Sequence, residues 1–371
     1  MKFKITVIGL FVFSIFAMKI QGENIKNDLP AVEQHFIDDP NEPHRKIEFF
    51  TLRPQGNGPF PVMFLLHGYQ RPENSTGGEQ LVQGGYLATF AKEGMLAVSI
   101  SIPGHGHSEG TRDFSGPKSQ KAIAAVIDYF AELPDVDPQR MGIYGGGKGA
   151  TLASMVHKYT PQLALQILEG GWYDFTTFFS LLPEYLDGIF MNLVAEAGSL
   201  RKNLIERSAV YNTEYIHSKT LILLGEFDDR RTRPSSVALH KKLRAEGKDS
   251  KIKVFSNELH VLSNAKWEAI IPFIREHFFH LVGIGINASL IMPAIQISKV
   301  LPCSPAALSG KIHVGDVILS ISPNNDENEI DTLRMPVHQF VSLMLGEKGT
   351  SVRLHIQHFD QTYEDVVIER G

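Results

Sequence analysis

The chain has 371 residues, of which 43% are hydrophobic, and its formal net charge is −5. This length predicts two domains with sizeable cores. No block of Lys and Arg stands out, which argues against a nucleic-acid partner. The only cysteine, Cys303, excludes an intramolecular disulfide; we expect it to be buried, with pairing between molecules as the alternative.

The first 22 residues have the pattern of a secretory signal peptide. Lys2 and Lys4 precede an apolar core at 5–17, and small residues such as Gly22 suit a cleavage site before a polar mature start. The core is too short for a comfortable membrane span, and no later segment is long and apolar enough. We therefore expect a secreted or periplasmic protein with no membrane span after signal removal. An uncleaved N-terminal anchor is the alternative.

Residues 23–280 alternate between predicted strands and helices. The strands lie at 45–53, 61–66, 95–102, 141–144, 163–168, 220–224 and 251–255, and the helices at 80–93, 119–133, 150–157, 235–246 and 267–280. This order, with continuously apolar strands, predicts an α/β domain built on a doubly wound, mostly parallel sheet.

One stretch, at 172–212, interrupts this alternation. It carries many aromatic and aliphatic residues at helical spacing between two predicted strands. We interpret it as a small helical lid over the carboxyl edge of the sheet. A plain crossover helix with one extra hairpin is the alternative.

The most informative motif is a strand-to-helix turn that lacks its usual serine. Residues 142–153 read GIYGGGKGATLA, which is the setting of the G-x-S-x-G turn that presents the nucleophile of α/β-hydrolases. When the motif is aligned on Gly145 and Gly149, the nucleophile position falls on Gly147. Glycine has no side chain, so no acyl-enzyme can form there.

The other parts of a serine-hydrolase site have candidates in the order that this fold requires. Asp228 lies in the acidic loop after the sixth strand and is the candidate carboxylate, with Asp229 as the second choice. His260 follows the seventh strand and is the candidate base. The candidate oxyanion donors are the amide of Lys148 and the amide or hydroxyl of Tyr69.

No metal and no cofactor are expected. Residues 104–107 read Gly-His-Gly-His, a spacing seen in metal sites, but no other ligand lies nearby in the sequence. We interpret this run as a glycine-rich loop.

Residues 45–280 resemble the catalytic domain of the prolyl oligopeptidase family and its dienelactone-hydrolase-like relatives. The matching stretches, in order, are LLHGY, SIPGHGHSEG, VDPQRMGIYGGGKGATLA, TLILLGEFDDRR and NELH. The resemblance implies an α/β-hydrolase that cleaves an ester or peptide bond through an acyl-serine. By position it implies a base at His260, a carboxylate at Asp228 and oxyanion donors at Tyr69 and Lys148.

Residues 281–371 resemble a PDZ domain, most closely that of bacterial tail-specific proteases. The matching stretches are LVGIGI, AIQISKVLPCSPAA and VGDVILSI, and the region is mostly β: predicted strands lie at 283–286, 294–300, 316–321, 351–358 and 363–369, with one helix at about 336–345. The resemblance implies capture of a protein C-terminal tail as an added strand. The implied peptide-binding residues are Gly283, Ile284, Gly285, Ile286, Val337 and Val341. A PDZ fold that serves only as an intramolecular brace is the alternative.

Three functions remain open from the sequence. The leading hypothesis is a non-catalytic or nearly inactive relative that binds a peptide, or a small ester or acyl ligand, in the hydrolase pocket and a protein tail in the PDZ groove. The second is an active peptidase-like or esterase-like hydrolase that uses water or a non-standard nucleophile. The third is a scaffold with an empty pocket, in which only the PDZ domain acts.

Overall fold

The computed structural model describes residues 29–177, 187–228, 232–260, 264–291 and 293–371. The predicted signal peptide at 1–22 and part of the predicted lid lie outside these residues. Within them, no helix combines the length and the apolar character needed to cross a bilayer.

Eight strands form the larger sheet. They are β1 (Glu33–Asp39), β2 (Glu42–Leu52), β3 (Phe60–Leu66), β4 (Leu96–Ile100), β5 (Val136–Gly146), β6 (Leu165–Glu169), β7 (Lys219–Gly225) and β8 (Ser250–Phe255). Their order across the sheet is β1-β2-β4-β3-β5-β6-β7-β8. The pairs β1–β2 and β2–β4 are antiparallel, and every other neighbouring pair is parallel. This confirms the predicted mostly parallel α/β sheet.

Helices cover both faces of this sheet. The helices of this domain are α1 (Glu79–Gln83), α2 (Tyr86–Lys92), α3 (Pro117–Ala131), α4 (Lys148–Met155), α5 (Asp187–Ala197), α6 (Arg201–Ile205), α7 (Thr232–Ala245) and α8 (Asn264–Phe278), of which α5 and α6 pack in a separate small core. Along β3, Phe64 and Leu66 enter one buried core, whereas Met63 and Leu65 enter the other. Burial on both faces explains why this strand is continuously apolar.

Two local predictions for this domain were wrong. The polar segment that forms β1 was not predicted as a strand, because an exposed edge strand needs few apolar residues. The predicted helix at 80–93 is two helices, because Gly85 adopts a left-handed φ of 74° between them.

Within the stretch at 172–212, residues 172–177 form an irregular segment and a turn, residues 187–212 carry helices α5 and α6, and no strand lies among the described residues. In α5, Leu193 and Ala197 pack with Phe114, Phe175 and Leu204 in a small core of their own. The described residues therefore favour the helical interpretation over an extra hairpin.

The C-terminal region is mostly antiparallel. Its strands are β9 (Leu281–Val282), β10 (Ile286–Ile291), β11 (Ala294–Val300), β12 (Val317–Ser322), β13 (Ile330–Asp331), β14 (Gly346–Glu347), β15 (Ser351–Gln357) and β16 (Tyr363–Glu369), with helices α9 (Pro305–Ser309) and α10 (Val337–Met344). The main sheet runs β10-β11-β12-β15-β16. This confirms the predicted mostly-β fold, although the predicted strand at 283–286 is largely a loop, with β10 beginning where it was expected to end.

Cys303 is exposed, so the prediction of a buried cysteine was wrong. It lies in the turn between β11 and α9 with a left-handed φ of 59°. An intermolecular disulfide is therefore sterically open to this thiol.

Candidate active site

Gly147 forms a turn of one residue between β5 and α4. Its φ of 54° and ψ of −118° lie in a region that side chains rarely tolerate. Gly149, two residues later, crosses β3 so closely that a Cβ on it would lie 2.3 Å from the carbonyl oxygen of Leu66. The chain therefore retains the strained strand-to-helix turn that presents a nucleophile in α/β-hydrolases.

His260 faces the space where the side chain of residue 147 would begin. A Cβ built on Gly147 would lie 3.0 Å from His260 Nε2. The opposite ring nitrogen, Nδ1, donates a hydrogen bond of 2.8 Å to Asp228 Oδ1. The Asp228 side chain is buried, whereas the His260 side chain is 53% exposed. The structure thus brings together the three positions predicted as nucleophile, base and carboxylate.

The hydrogen bond that His260 donates to Asp228 raises the pKa of His260, and the negative charge of Glu169 acts in the same direction, while partial loss of solvent contact opposes them. The protonated imidazolium is therefore favoured relative to a free histidine. Nε2 is available as a base only at a pH above this raised pKa.

A buried ionic network lies directly behind the turn and was missed in the sequence. The Glu169 carboxylate accepts hydrogen bonds from the Tyr144 hydroxyl at 2.6 Å and from Lys266 Nζ at 2.9 Å. The Glu169 carbonyl accepts from the Gly147 amide at 2.8 Å, and Lys266 Nζ also donates to the Leu259 carbonyl at 3.0 Å. The network therefore ties the turn to the residue that precedes the base.

Burial raises the pKa of Glu169, and the ammonium of Lys266 opposes that rise. Both side chains are almost completely excluded from solvent. The only sequence signal for this pair was a glutamate that ends the mostly apolar strand β6.

The two predicted oxyanion donors lie on the elements expected to carry them. Lys148 is the first residue of α4, so its amide has no acceptor within the helix. Tyr69 follows β3, and its hydroxyl accepts a hydrogen bond from Asn192 Nδ2. The Lys148 side chain is buried, with its ammonium 4.9 Å from the centre of the Phe114 ring and 3.8 Å from Glu196 Oε2. Burial lowers the pKa of Lys148.

A cleft of about 710 Å³ includes Tyr69 in its lining but not Gly147, Asp228 or His260. Helix α5 forms one wall, and the loop after β3 forms the other. The cleft is lined by Tyr69, Arg71, Pro72, Glu73, Gly188, Ile189, Met191 and Asn192. Tyr69 therefore belongs both to the cleft and to the predicted oxyanion site.

Comparison with known proteins identifies both regions. The prolyl oligopeptidase family model matches residues 84–278, more than half of the chain, and a PDZ domain model matches residues 279–357. The chain belongs to the prolyl oligopeptidase family. Both resemblances predicted from the sequence are thereby confirmed.

Relatives share the catalytic domain of this family at low identity. An uncharacterized peptidase of Bacillus subtilis strain 168, YuxL, is 24% identical over 230 residues, which cover 58% of this chain and 33% of that protein. A puromycin-hydrolyzing peptidase of Mycobacterium tuberculosis superposes with a TM-score of 0.55 at 18% identity, covering 66% of this chain and 39% of that one. An acylaminoacyl peptidase of Pyrococcus horikoshii gives a TM-score of 0.52 at 18% identity, covering 63% and 38%. The chain spans about a third of the length of its curated relative, and the structural likenesses show the fold alone.

The PDZ domain presents an edge strand beside a helix. Among the described residues, β10 pairs with β11 alone, and α10 packs beside it. Of the predicted peptide-binding residues, Ile286 is the first residue of β10, and Val337 and Val341 lie on α10. The residues at 283–285 form the loop that leads into β10. Ile284 in this loop is buried in the core of the domain, whereas the second edge of β10 is unpaired among the described residues.

The hydroxyl of Thr151 on α4 and the histidines of the Gly-His-Gly-His run are hydrogen-bonded to other groups. Thr151 Oγ1 accepts a hydrogen bond from the Trp172 amide at 3.1 Å. His105 Nδ1 donates to its own loop, whereas His107 Nδ1 donates to Glu48 Oε1 at 2.8 Å. The two histidines of the Gly-His-Gly-His run therefore have separate partners.

Proposed function

We propose that this member of the prolyl oligopeptidase family binds a peptide, or a small ester or acyl ligand, beside Gly147 without cleaving it. The observation that carries the proposal is the position of His260 Nε2. This atom lies 3.0 Å from the place where the Cβ of a side chain at residue 147 would be. The hydrogen-bonded pair of His260 and Asp228 and the strained turn are kept, and only the attacking oxygen is lost. Hydrolases that lack one triad member keep a small residual rate from binding and the oxyanion donors.

The cleft supports a peptide-like ligand. It combines charged groups, Arg71 and Glu73, with apolar ones such as Ile189 and Met191. Ligand sites typically join apolar walls with a few directed polar groups. The free amide of Lys148 supplies a donor for a ligand carbonyl at the position where the family stabilises an oxyanion.

We further propose that the PDZ domain captures a protein C-terminal tail, and that the first 22 residues export the chain to the periplasm or the exterior. The open edge of β10 beside α10 supports the first statement. The positive start and short apolar core support the second.

One observation favours the second candidate function, hydrolysis by activated water. The position of the missing Cβ is at hydrogen-bonding distance, 3.0 Å, from His260 Nε2. Besides the chain neighbours of Gly147, His260 supplies the only described atoms within 4 Å of that position. A water molecule placed there would donate to Nε2, as the serine hydroxyl does in an active relative.

Comparing the wild type with His260→Ala separates these two functions. If the site only binds, both proteins should hydrolyse p-nitrophenyl acetate at the same rate, and fluorescein-labelled N-acyl peptides should bind both with affinities within about threefold and be recovered intact. The exposed position of His260 makes the alanine variant compatible with folding, which its melting curve checks. Turnover by the wild type that disappears in His260→Ala would establish the water-activating hydrolase instead.

Tail capture predicts a requirement for a free carboxylate. Decapeptides that end in an apolar residue should bind about 10- to 100-fold more tightly than the same peptides with an amidated end, because hydrogen bonds from loop amides to a charged group are lost on amidation. Fluorescence anisotropy on matched peptide pairs measures the difference. Equal affinities, or no binding by either member of any pair, would support the brace interpretation.

A further inference from the structure

Two histidines and a carboxylate meet in the PDZ domain at a place that none of the preceding sites uses. His313 and Asp316 lie in the loop before β12, and His358 begins the turn between β15 and β16. One potential ligand atom from each residue lies within 4.8 Å of the other two. The hairpin that carries His358 is at the sheet edge opposite β10, so this cluster is separate from the predicted tail groove.

The carboxylate is the fixed centre of the cluster. Asp316 is only 2% exposed. Its Oδ2 accepts a hydrogen bond of 2.8 Å from the His313 amide, and its Oδ1 lies 3.2 Å from His358 Nδ1. His313 Nδ1 lies 3.8 Å from Oδ2. Each carboxylate oxygen has a second lone pair, so these contacts leave capacity for a further bond.

His358 has a carboxylate near its other ring nitrogen, as metal-binding histidines commonly do. Its second ring nitrogen, Nε2, lies 3.5 Å from Glu364 Oε2. Glu364 is in turn held by Lys311 Nζ at 2.6 Å. Histidines that bind metals almost always donate their other N–H to such a group, which fixes the ring and its tautomer. Here that contact leaves Nδ1 directed at Asp316.

We propose that His313, Asp316 and His358 bind a zinc ion, with water completing a tetrahedral site. Imidazole nitrogen and carboxylate oxygen are ligands that zinc prefers, at about 2.0–2.2 Å. Ligand atoms in such a site are about 3.4 Å apart, which follows from these bond lengths and tetrahedral angles. The His313 side chain is 66% exposed, so it can close the remaining distance by rotating.

Zinc at this position would join the β15–β16 turn to the loop before β12. A ligand that binds only the folded state raises stability in proportion to the logarithm of its concentration over Kd. Zinc is therefore expected to raise the melting temperature of the PDZ domain within the full chain.

The test is calorimetric titration of the EDTA-treated, dialysed full-length protein with zinc chloride. We expect one saturable site in the wild type and an affinity lowered at least ~10-fold in His313→Ala and in His358→Ala, because each removes a ligand. Glu364→Gln should weaken binding by about 10- to 100-fold by releasing His358. Asp316 is left intact because its side chain also orders the loop.

The matched control is His355→Ala. His355 lies on β15 and pairs with Asp365 at 2.7 Å, which gives it the same kind of partner outside the cluster. This variant should bind zinc like the wild type. Absence of saturable binding at 1 mM zinc (a concentration ~1000-fold above a Kd of about 1 μM), or equal affinity in the wild type and both ligand variants, would overturn the proposal.

Discussion

Replacing Gly147 by serine is expected to create an esterase at least ~100-fold faster than the wild type, since a positioned base contributes a factor of this order or more. The new Cβ would lie 3.0 Å from His260 Nε2, so the hydroxyl begins within reach of the base. This contact is tight, and the ring must retreat by a few tenths of an ångström. Its 53% exposure leaves room to do so. The left-handed φ of 54° adds strain of about 1–3 kcal/mol, which a rigid turn can hold.

Two variants control this experiment. Gly147→Ala introduces the same Cβ and the same strain without an oxygen, so it should remain inactive. Gly147→Ser combined with His260→Ala should lose the gained rate of p-nitrophenyl acetate hydrolysis. A folded Gly147→Ser protein no faster than Gly147→Ala would contradict the view that the site lacks only its nucleophile.

The pH profile of Gly147→Ser follows from the same geometry. Because Asp228 raises the pKa of His260, the neutral base accumulates only above its ordinary value of 6.5. The rate should therefore be low in acid and rise with pH, with a midpoint above 6.5.

The convergence of Gly147, Asp228 and His260 could be predicted from the sequence. Each follows a different strand of one parallel sheet, and the carboxyl ends of parallel strands share an edge. The Gly-rich turn could also be predicted, because only glycine permits the close approach of Gly149 to β3.

Contacts between distant residues were not predictable in the same way. Glu169 and Lys266 are 97 positions apart, and nothing in the pattern of α8 marks Lys266 as a buried lysine. The cluster of His313, Asp316 and His358 depends on where the β15–β16 turn is placed, which sequence spacing alone does not fix.

Replacing Lys266 by methionine is expected to lower the free energy of unfolding by about 3–5 kcal/mol, because Glu169 would stay buried without its cation. Methionine fills a similar volume but cannot hydrogen-bond to Glu169 or to the Leu259 carbonyl, which Lys266 Nζ contacts at 2.9 and 3.0 Å. Urea unfolding followed by tryptophan fluorescence measures the loss. The chain has only two tryptophans, Trp172 and Trp267, and both report on the hydrolase domain.

Lys251→Met is the matched control. Lys251 lies 3.2 Å from Glu276, but both side chains are about half exposed. Loss of such a pair changes stability by only about 0–1 kcal/mol. An equally small effect of Lys266→Met would show that the buried network does not stabilise the site.

The pH dependence of Lys266→Met gives an independent check on the cause. Burial already raises the pKa of Glu169 above its ordinary value of 4.5, and removal of the ammonium raises it further. An acid whose pKa is raised in the folded state contributes to the free energy of unfolding at pH values below its pKa in the unfolded chain. This stabilisation is lost as the pH rises through the pKa of the folded state. The deficit of Lys266→Met relative to the wild type should therefore be small below pH 4.5 and grow above it. Adding Glu169→Gln should remove this pH dependence, because the buried group can then no longer ionise, and the double variant should recover part of the lost stability.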